Sequence, residues 1–172
     1  GLVDRLDVSH YRLSLHLVLA FIILSLIFWN YLKYKEISHS EKKINFNLTI
    51  LFLLLIFLQI SIGAFVSGMD AGKIYNSWPL MGSSYFPDDN SIGDLLNFEA
   101  FNDPSLVQFI HRNLAYLIFV FYLLILFVVY KNNLQSLYKA TKIIGFILIV
   151  QIVLGILTLL SSAQMIVSSM HQ

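Results

Sequence analysis

The 172-residue sequence contains no cysteine, which removes disulfides, thiolate zinc sites, iron–sulfur clusters and a thiol nucleophile from the chemistry open to it. Any redox role must therefore be borrowed from a cofactor. Charge is also scarce: 12% of residues are charged and 58% hydrophobic, far from the roughly 25% and 45–50% of a soluble domain. That balance belongs to a membrane protein. The formal net charge is +1, so there is neither the basic excess of a nucleic-acid binder nor an acidic tail. Residue 1 is Gly, no signal-peptide pattern precedes the first apolar run, and the sequence ends at "SSMHQ" without a polar tail. The expectation is a piece of something longer.

What is present in quantity is apolar sequence. A membrane-crossing helix needs about 20 mostly apolar residues, and four runs qualify, at about 13–32, 46–66, 109–130 and 143–160, with a fifth beginning near Met165. This predicts an all-α, polytopic transmembrane helix bundle. Two of the connections are short and basic: 33–45 carries Lys33, Lys35, Lys42 and Lys43, and 131–142 carries Lys131, Lys139 and Lys142. The long connection, 68–108, has Lys73 as its basic residue beside Asp70, Asp88, Asp89, Asp94, Glu99 and Asp103. Lys and Arg near helix ends mark the cytoplasmic side, which sends the long loop outside. Its mixture of Gly, Pro, Trp, Tyr and Phe suggests a folded cap with turns, and Trp78 also suits an interfacial anchor. Arg5, Arg12 and Arg112 then fall on the outer side against the rule. They either snorkel to headgroups or meet an anion such as a carboxylate at the outer face.

An internal repeat organises the polar residues. "QISIG" (Gln59 to Gly63) and "QIVLG" (Gln151 to Gly155) both lie on outgoing helices, and each is followed, across an outer connection, by a histidine near the start of a returning segment, His111 and His171. His16 occupies the same place on the first helix. The Gln-x-x-x-Gly pattern by itself is also what close helix packing uses, but repeats in membrane proteins commonly build a site at their interface. Of the five histidines, His39 lies in a basic loop and reads as solvated, and His10 reads as interfacial. His16, His111 and His171 share one membrane depth, where an unpaired polar group costs several kcal/mol. With no cysteine and few carboxylates in the helices, zinc and di-iron sites are poorly supported. A haem iron needs two axial imidazoles from facing helices and apolar surroundings for its ring. Its propionates want cations at the water edge, and Arg112 adjoins His111 while Arg12 lies one turn before His16. A cytochrome b-type electron carrier fits these residues too. A transporter or channel fits less well, because no charged residues mark a path at mid-membrane.

The stretches "GLVDRLDVSHYRLSLHL", "GAFVSGMDAGKIYNSWPLMG", "NFEAF", "VQFIHRNLAY" and "LGILTLL" with the terminal "HQ" resemble haem A synthases of the proteobacterial and mitochondrial type, in the expected order over nearly the whole chain. The resemblance implies part of an eight-helix protein of two similar four-helix halves, from just before the fourth helix to the start of the eighth. By that comparison residues 1–34 end the N-terminal half, 35–45 form a cytoplasmic linker, and 46–172 form the C-terminal half. It implies an oxidoreductase that converts the C8 methyl group of haem O to a formyl group, with oxygen from water, giving haem A for terminal oxidases. Haem b would be the cofactor, with His111 and His171 as axial ligands of its iron and Arg112 and Arg12 beside propionates. His16 would lie on the substrate-haem side and Glu99 would structure the loop or the haem edge. Expected partners are haem O, haem O synthase, membrane lipid and further copies of the chain in a homo-oligomer, without nucleic acid. The expected location is the inner membrane, with haem sites near the periplasmic face. A chain lacking the first three helices is expected to be inactive alone.

Overall fold

The computed structural model describes residues 9–35 and 44–171; Arg5, His39, Lys42 and Lys43 lie outside them. The described chain is helical, as the apolar runs predict: α1 (His10–Tyr34), α2 (Phe46–Gly68), α3 (Pro104–Lys131), α4 (Gln135–Leu160) and the short α5 (Met165–His171). At about 1.5 Å rise per residue, the four long helices of 25, 23, 28 and 26 residues run about 35–42 Å. That exceeds the roughly 30 Å hydrocarbon core, and all four are apolar enough to cross it.

Helix ends differ from the apolar runs for a physical reason. Apolarity marks where lipid ends, whereas helices stop where caps and turns stop them. Helix α3 begins more than a turn before its apolar run, because the Asp103 carboxylate accepts from the Leu106 N–H at 2.9 Å and Pro104 stands in the first turn, where its missing N–H costs nothing. The basic stretch 131–142, expected as a connection, is mostly the opening of α4. The true connection is 132–134, turned by Asn133 at φ 51°.

Successive helices pack as antiparallel neighbours. Near the N-terminal end of α1 the Ser14 hydroxyl meets the Ser61 hydroxyl on α2 at 2.7 Å, and His10 sets its ring edge-on to Phe65 at 5.1 Å. Between α2 and α3 the core is Ile62, Phe65, Val107, Leu114 and Ile118. Helices α3 and α4 meet where the Tyr122 hydroxyl donates to the Thr141 carbonyl at 3.0 Å, over Gly145. A left-handed pair, Ser162 (φ 55°) and Ala163 (φ 59°), reverses the chain into α5.

Large apolar side chains also point outward: Phe28, Phe127 and Phe146 are 59%, 60% and 70% exposed. Such surface is untenable in water and suits lipid. At the opposite end Lys33 lies over Trp29, Lys35 over Tyr31 and Lys131 over Phe127, each 5.4–5.5 Å from the ring centre. Such pairs of cations and aromatics suit the headgroup level of a membrane.

A methyl group added at Gly145 would collide with the Tyr122 hydroxyl and stand 2.7 Å from its Cζ. Overpacking of this kind costs about 1–3 kcal/mol. Gly145→Ala should therefore lower the unfolding temperature in detergent, Gly93→Ala, where a Cβ would meet only Ser91 Oγ at an ordinary 3.8 Å, should leave it nearly unchanged, and adding Tyr122→Leu to Gly145→Ala should recover part of the loss. Equal melting of the two single variants would contradict this packing.

Candidate functional site

The repeat read in the sequence has a spatial counterpart. A four-residue spacing puts Gln59 and Gly63 on one face of α2, and His111 of α3 lies on that face. A Cβ at Gly63 would be 3.1 Å from His111 Cε1. The second unit repeats the notch: a Cβ at Gly155 on α4 would be 2.9 Å from Cε1 of His171 on α5. In each unit glycine is the residue that leaves room for an imidazole between two helices. The two rings face one another with centroids 6.3 Å apart and planes at 82°. Each has its Nδ1 buried without a hydrogen-bond partner.

The glutamines differ. The Gln59 amide nitrogen lies 3.3 Å from His111 Nε2 and donates to the His111 carbonyl at 3.2 Å. Beside His171 it is the main chain of Gln151 that faces the ring.

Above the histidines, residues 69–103 form the folded cap expected from their composition, with 3-10 turns at Ala71–Lys73, Ile92–Leu96 and Phe98–Asn102. Tyr75 is its hub. The Tyr75 hydroxyl donates to Asp89 at 2.9 Å and accepts from the Asp88 N–H at 3.1 Å. Its carbonyl accepts from the buried Gln108 amide at 3.1 Å and from Arg112 at 2.9 Å. Arg112 also donates to the carbonyls of Ser77 (3.0 Å) and Leu80 (3.4 Å). The guanidinium given to a propionate by the sequence thus has its two terminal nitrogens on the cap, and its Nε is buried without a partner. Trp78 donates to the Tyr116 hydroxyl at 2.9 Å, which ties this aromatic to α3. Glu99 accepts from Asn102 at 2.9 Å, and Asn102 accepts from Tyr11 of α1 at 2.8 Å.

His16 and Arg12 stand elsewhere. Both are exposed on α1, and among the described residues neither has a hydrogen bond, ion pair or ring contact with the His111–His171 pair. Sequence reasoning passed over Tyr75, Asp89 and Ser105, the last donating to Asp89 at 2.6 Å. Their partners are far apart in the chain, and no spacing signals them.

The family model described as "Cytochrome oxidase assembly protein" matches residues 1–172. The chain belongs to this family. Three relatives called heme A synthase align with all of it: that of Pelagibacter ubique (strain HTCC1062) at 47% identity, that of Wolbachia pipientis subsp. Culex pipiens (strain wPip) at 38%, and that of Rickettsia bellii (strain RML369-C) at 37%. The alignments cover 51%, 51% and 52% of those relatives, so the chain spans about half the length of the curated relatives it matches. No solved structure matches it.

In this family member the cap is fastened by carboxylates. Hydrogen bonds from Ser84, then from the Ser83 N–H and hydroxyl, hold Asp88 below the usual carboxylate range. Burial pushes Asp89 up, but hydrogen bonds from Ser105 and Tyr75 outweigh it and hold this group low as well. A depressed folded pKa contributes stability above the unfolded value, near 4, and that stability is lost as pH falls through the folded pKa. Hydrogen-exchange protection across 83–105 should therefore be constant from pH 7 to about 5 and fall below about pH 4, ahead of protection in α2 and α3. Cap and helices losing protection together would contradict this.

Proposed function

We propose that this chain supplies the haem b-holding part of a haem A synthase, a membrane oxidoreductase that converts the C8 methyl group of haem O to a formyl group with water as the oxygen source. The observation that carries the reading is the facing pair His111 and His171, 6.3 Å apart between ring centroids. Two imidazoles brought together from neighbouring helices in apolar surroundings are the donor set that would hold a haem iron, and the unpartnered Nδ1 atoms leave each ring free of competing protein partners on that side. Among the described residues no three or more His, Cys, Asp or Glu gather as a metal-binding group.

When bound, such a haem supplies one-electron transfer. The chain's own residues bind and orient it. His111 and His171 would hold the iron, Gly63 and Gly155 admit their rings, and the apolar faces of α2, α3 and α4 would exclude water. Arg112 holds the cap over His111 and offers a propionate only its Nε. Arg12, exposed on α1, keeps its guanidinium for a propionate on the substrate-haem side, where His16 stands one turn further on. Haem O is the substrate, haem O synthase its supplier, and the protein works as a homo-oligomer. Its setting is the inner membrane, with the haem sites at the periplasmic end.

Full-length protein should purify with a low-spin b-type haem, and His111→Ala and His171→Ala should each abolish that spectrum. Retention of a bis-histidine spectrum in both would refute the ligand pair. Cells lacking the protein should accumulate haem O and contain no haem A on pigment extraction. Unchanged haem A would favour the simple cytochrome b electron carrier.

A further inference from the structure

A loop that faces water turns most of its large apolar side chains inward. Over residues 92–98 the cap does the reverse. Ile92, Leu96 and Phe98 are 73%, 89% and 91% exposed, while the Asp94 carboxylate between them accepts from the Ser91 N–H at 2.9 Å and the Ser91 hydroxyl at 2.7 Å, in the box that caps the 3-10 turn Ile92–Leu96. The turn is built by its polar residues and presents its apolar ones. Three large apolar side chains this bare, close together in one segment, mark an interaction surface.

The depth of the patch identifies what it meets. The next turn, Phe98–Asn102, is seated on the helix heads: Ala100 is buried, Phe101 sets its ring edge-on to Phe65 of α2 at 6.2 Å, and Asn102 accepts from the Tyr11 hydroxyl of α1 at 2.8 Å. Tyr11 and Phe65 stand at the ends of the apolar runs of their helices, which begin near Leu13 and end near Val66. This turn therefore lies at the edge of the hydrocarbon. Phe98 is three residues from Phe101, about 6 Å at the rise of a 3-10 turn, and the headgroup layer is about 5–8 Å deep on each side of the hydrocarbon. The patch thus begins where the exposed apolar sides of the helices end. Charge points the same way: no Lys or Arg occurs from Ile74 to His111, so nothing in the segment is drawn to an anionic headgroup. Its attraction to a bilayer is apolar.

We propose that Ile92, Leu96 and Phe98 form an interfacial foot by which the cap dips into the boundary between headgroups and acyl chains, and that zwitterionic lipid suffices to hold it. Leucine and phenylalanine side chains seated at that boundary anchor a segment that does not span the membrane. The long connection between α2 and α3 is then held twice, by the bonds of Gln108 and Arg112 to Tyr75 and by lipid at 92–98.

Single-cysteine forms of the full-length protein test this, spin-labelled at Leu96→Cys, Phe98→Cys or the reference Ile23→Cys, which lies midway along α1 and is 57% exposed. All three positions are exposed, so the label replaces no packed side chain. In phosphatidylcholine nanodiscs, relaxation by molecular oxygen, which concentrates in lipid, is compared with relaxation by a water-soluble nickel chelate. Oxygen should outweigh nickel at both cap sites, less strongly than at Ile23→Cys, and adding phosphatidylglycerol should leave the ratios unchanged. Nickel in excess at either cap site puts the patch in water and overturns the proposal. Low collision with both probes means that protein covers the patch, from the rest of the full-length chain or from a second copy, and overturns it as well. Ratios that favour oxygen only when phosphatidylglycerol is present overturn the role of zwitterionic lipid.

Discussion

The arrangement depends on one constraint: an imidazole can be held between two apolar helices only where the neighbouring helix gives up its side chain. A histidine ring is broad and flat, and helix axes in contact lie about 8–10 Å apart. At 3.1 Å and 2.9 Å from the positions a Cβ would take, the His111 and His171 rings fill the space that Gly63 and Gly155 leave open. The remainder of the bundle follows from using that fit twice. Helices α2 with α3, and α4 with α5, form two similar hairpins, and their histidines end up facing each other because the hairpins pack side by side through Tyr122, Thr141 and Gly145.

The cap solves a second problem, the termination of apolar segments at a water boundary. Its backbone needs partners, and side chains at the head of α3 supply some: Gln108 and Arg112 donate to cap carbonyls, while Ser105 donates to the Asp89 carboxylate. Because Gln108 and Arg112 lie on either side of His111 within two turns of one helix, the cap and the histidine share a rigid support. The arginine adjoining the histidine is thus best understood as a fastening between cap and helix. Its donors meet three carbonyls at once, a use that suits a planar guanidinium better than a lysine ammonium.

The four spans and the folded long loop were legible in the sequence, since lipid demands long apolar runs and the loop's composition demands turns. The histidine pair was legible through its repeated place after Gln-x-x-x-Gly. What escaped were features that depend on long-range proximity. Tyr75 meets Asp89, and Asp89 meets Ser105, across 14 and 16 residues, and nothing in the order of residues announces such pairs. The start of α4 escaped for a different reason: lysines at 139 and 142 read as a polar connection, although a helix that emerges from lipid continues for as long as its backbone bonds are made.

Sequence symmetry also overstated structural symmetry. The two Gln-x-x-x-Gly motifs are alike as strings, and both glycines perform the same steric task. Only Gln59 turns its amide to its histidine; at Gln151 the main chain faces the ring instead. The difference follows from how each returning helix is attached. His111 stands in the eighth position of a 28-residue helix whose head is bound into the cap, whereas His171 ends the described part of α5 after a tight left-handed turn. A short connection fixes how α5 meets α4 directly. A long cap leaves the placement of α3 against α2 to side-chain contacts, and the Gln59 amide on the His111 carbonyl is one of them.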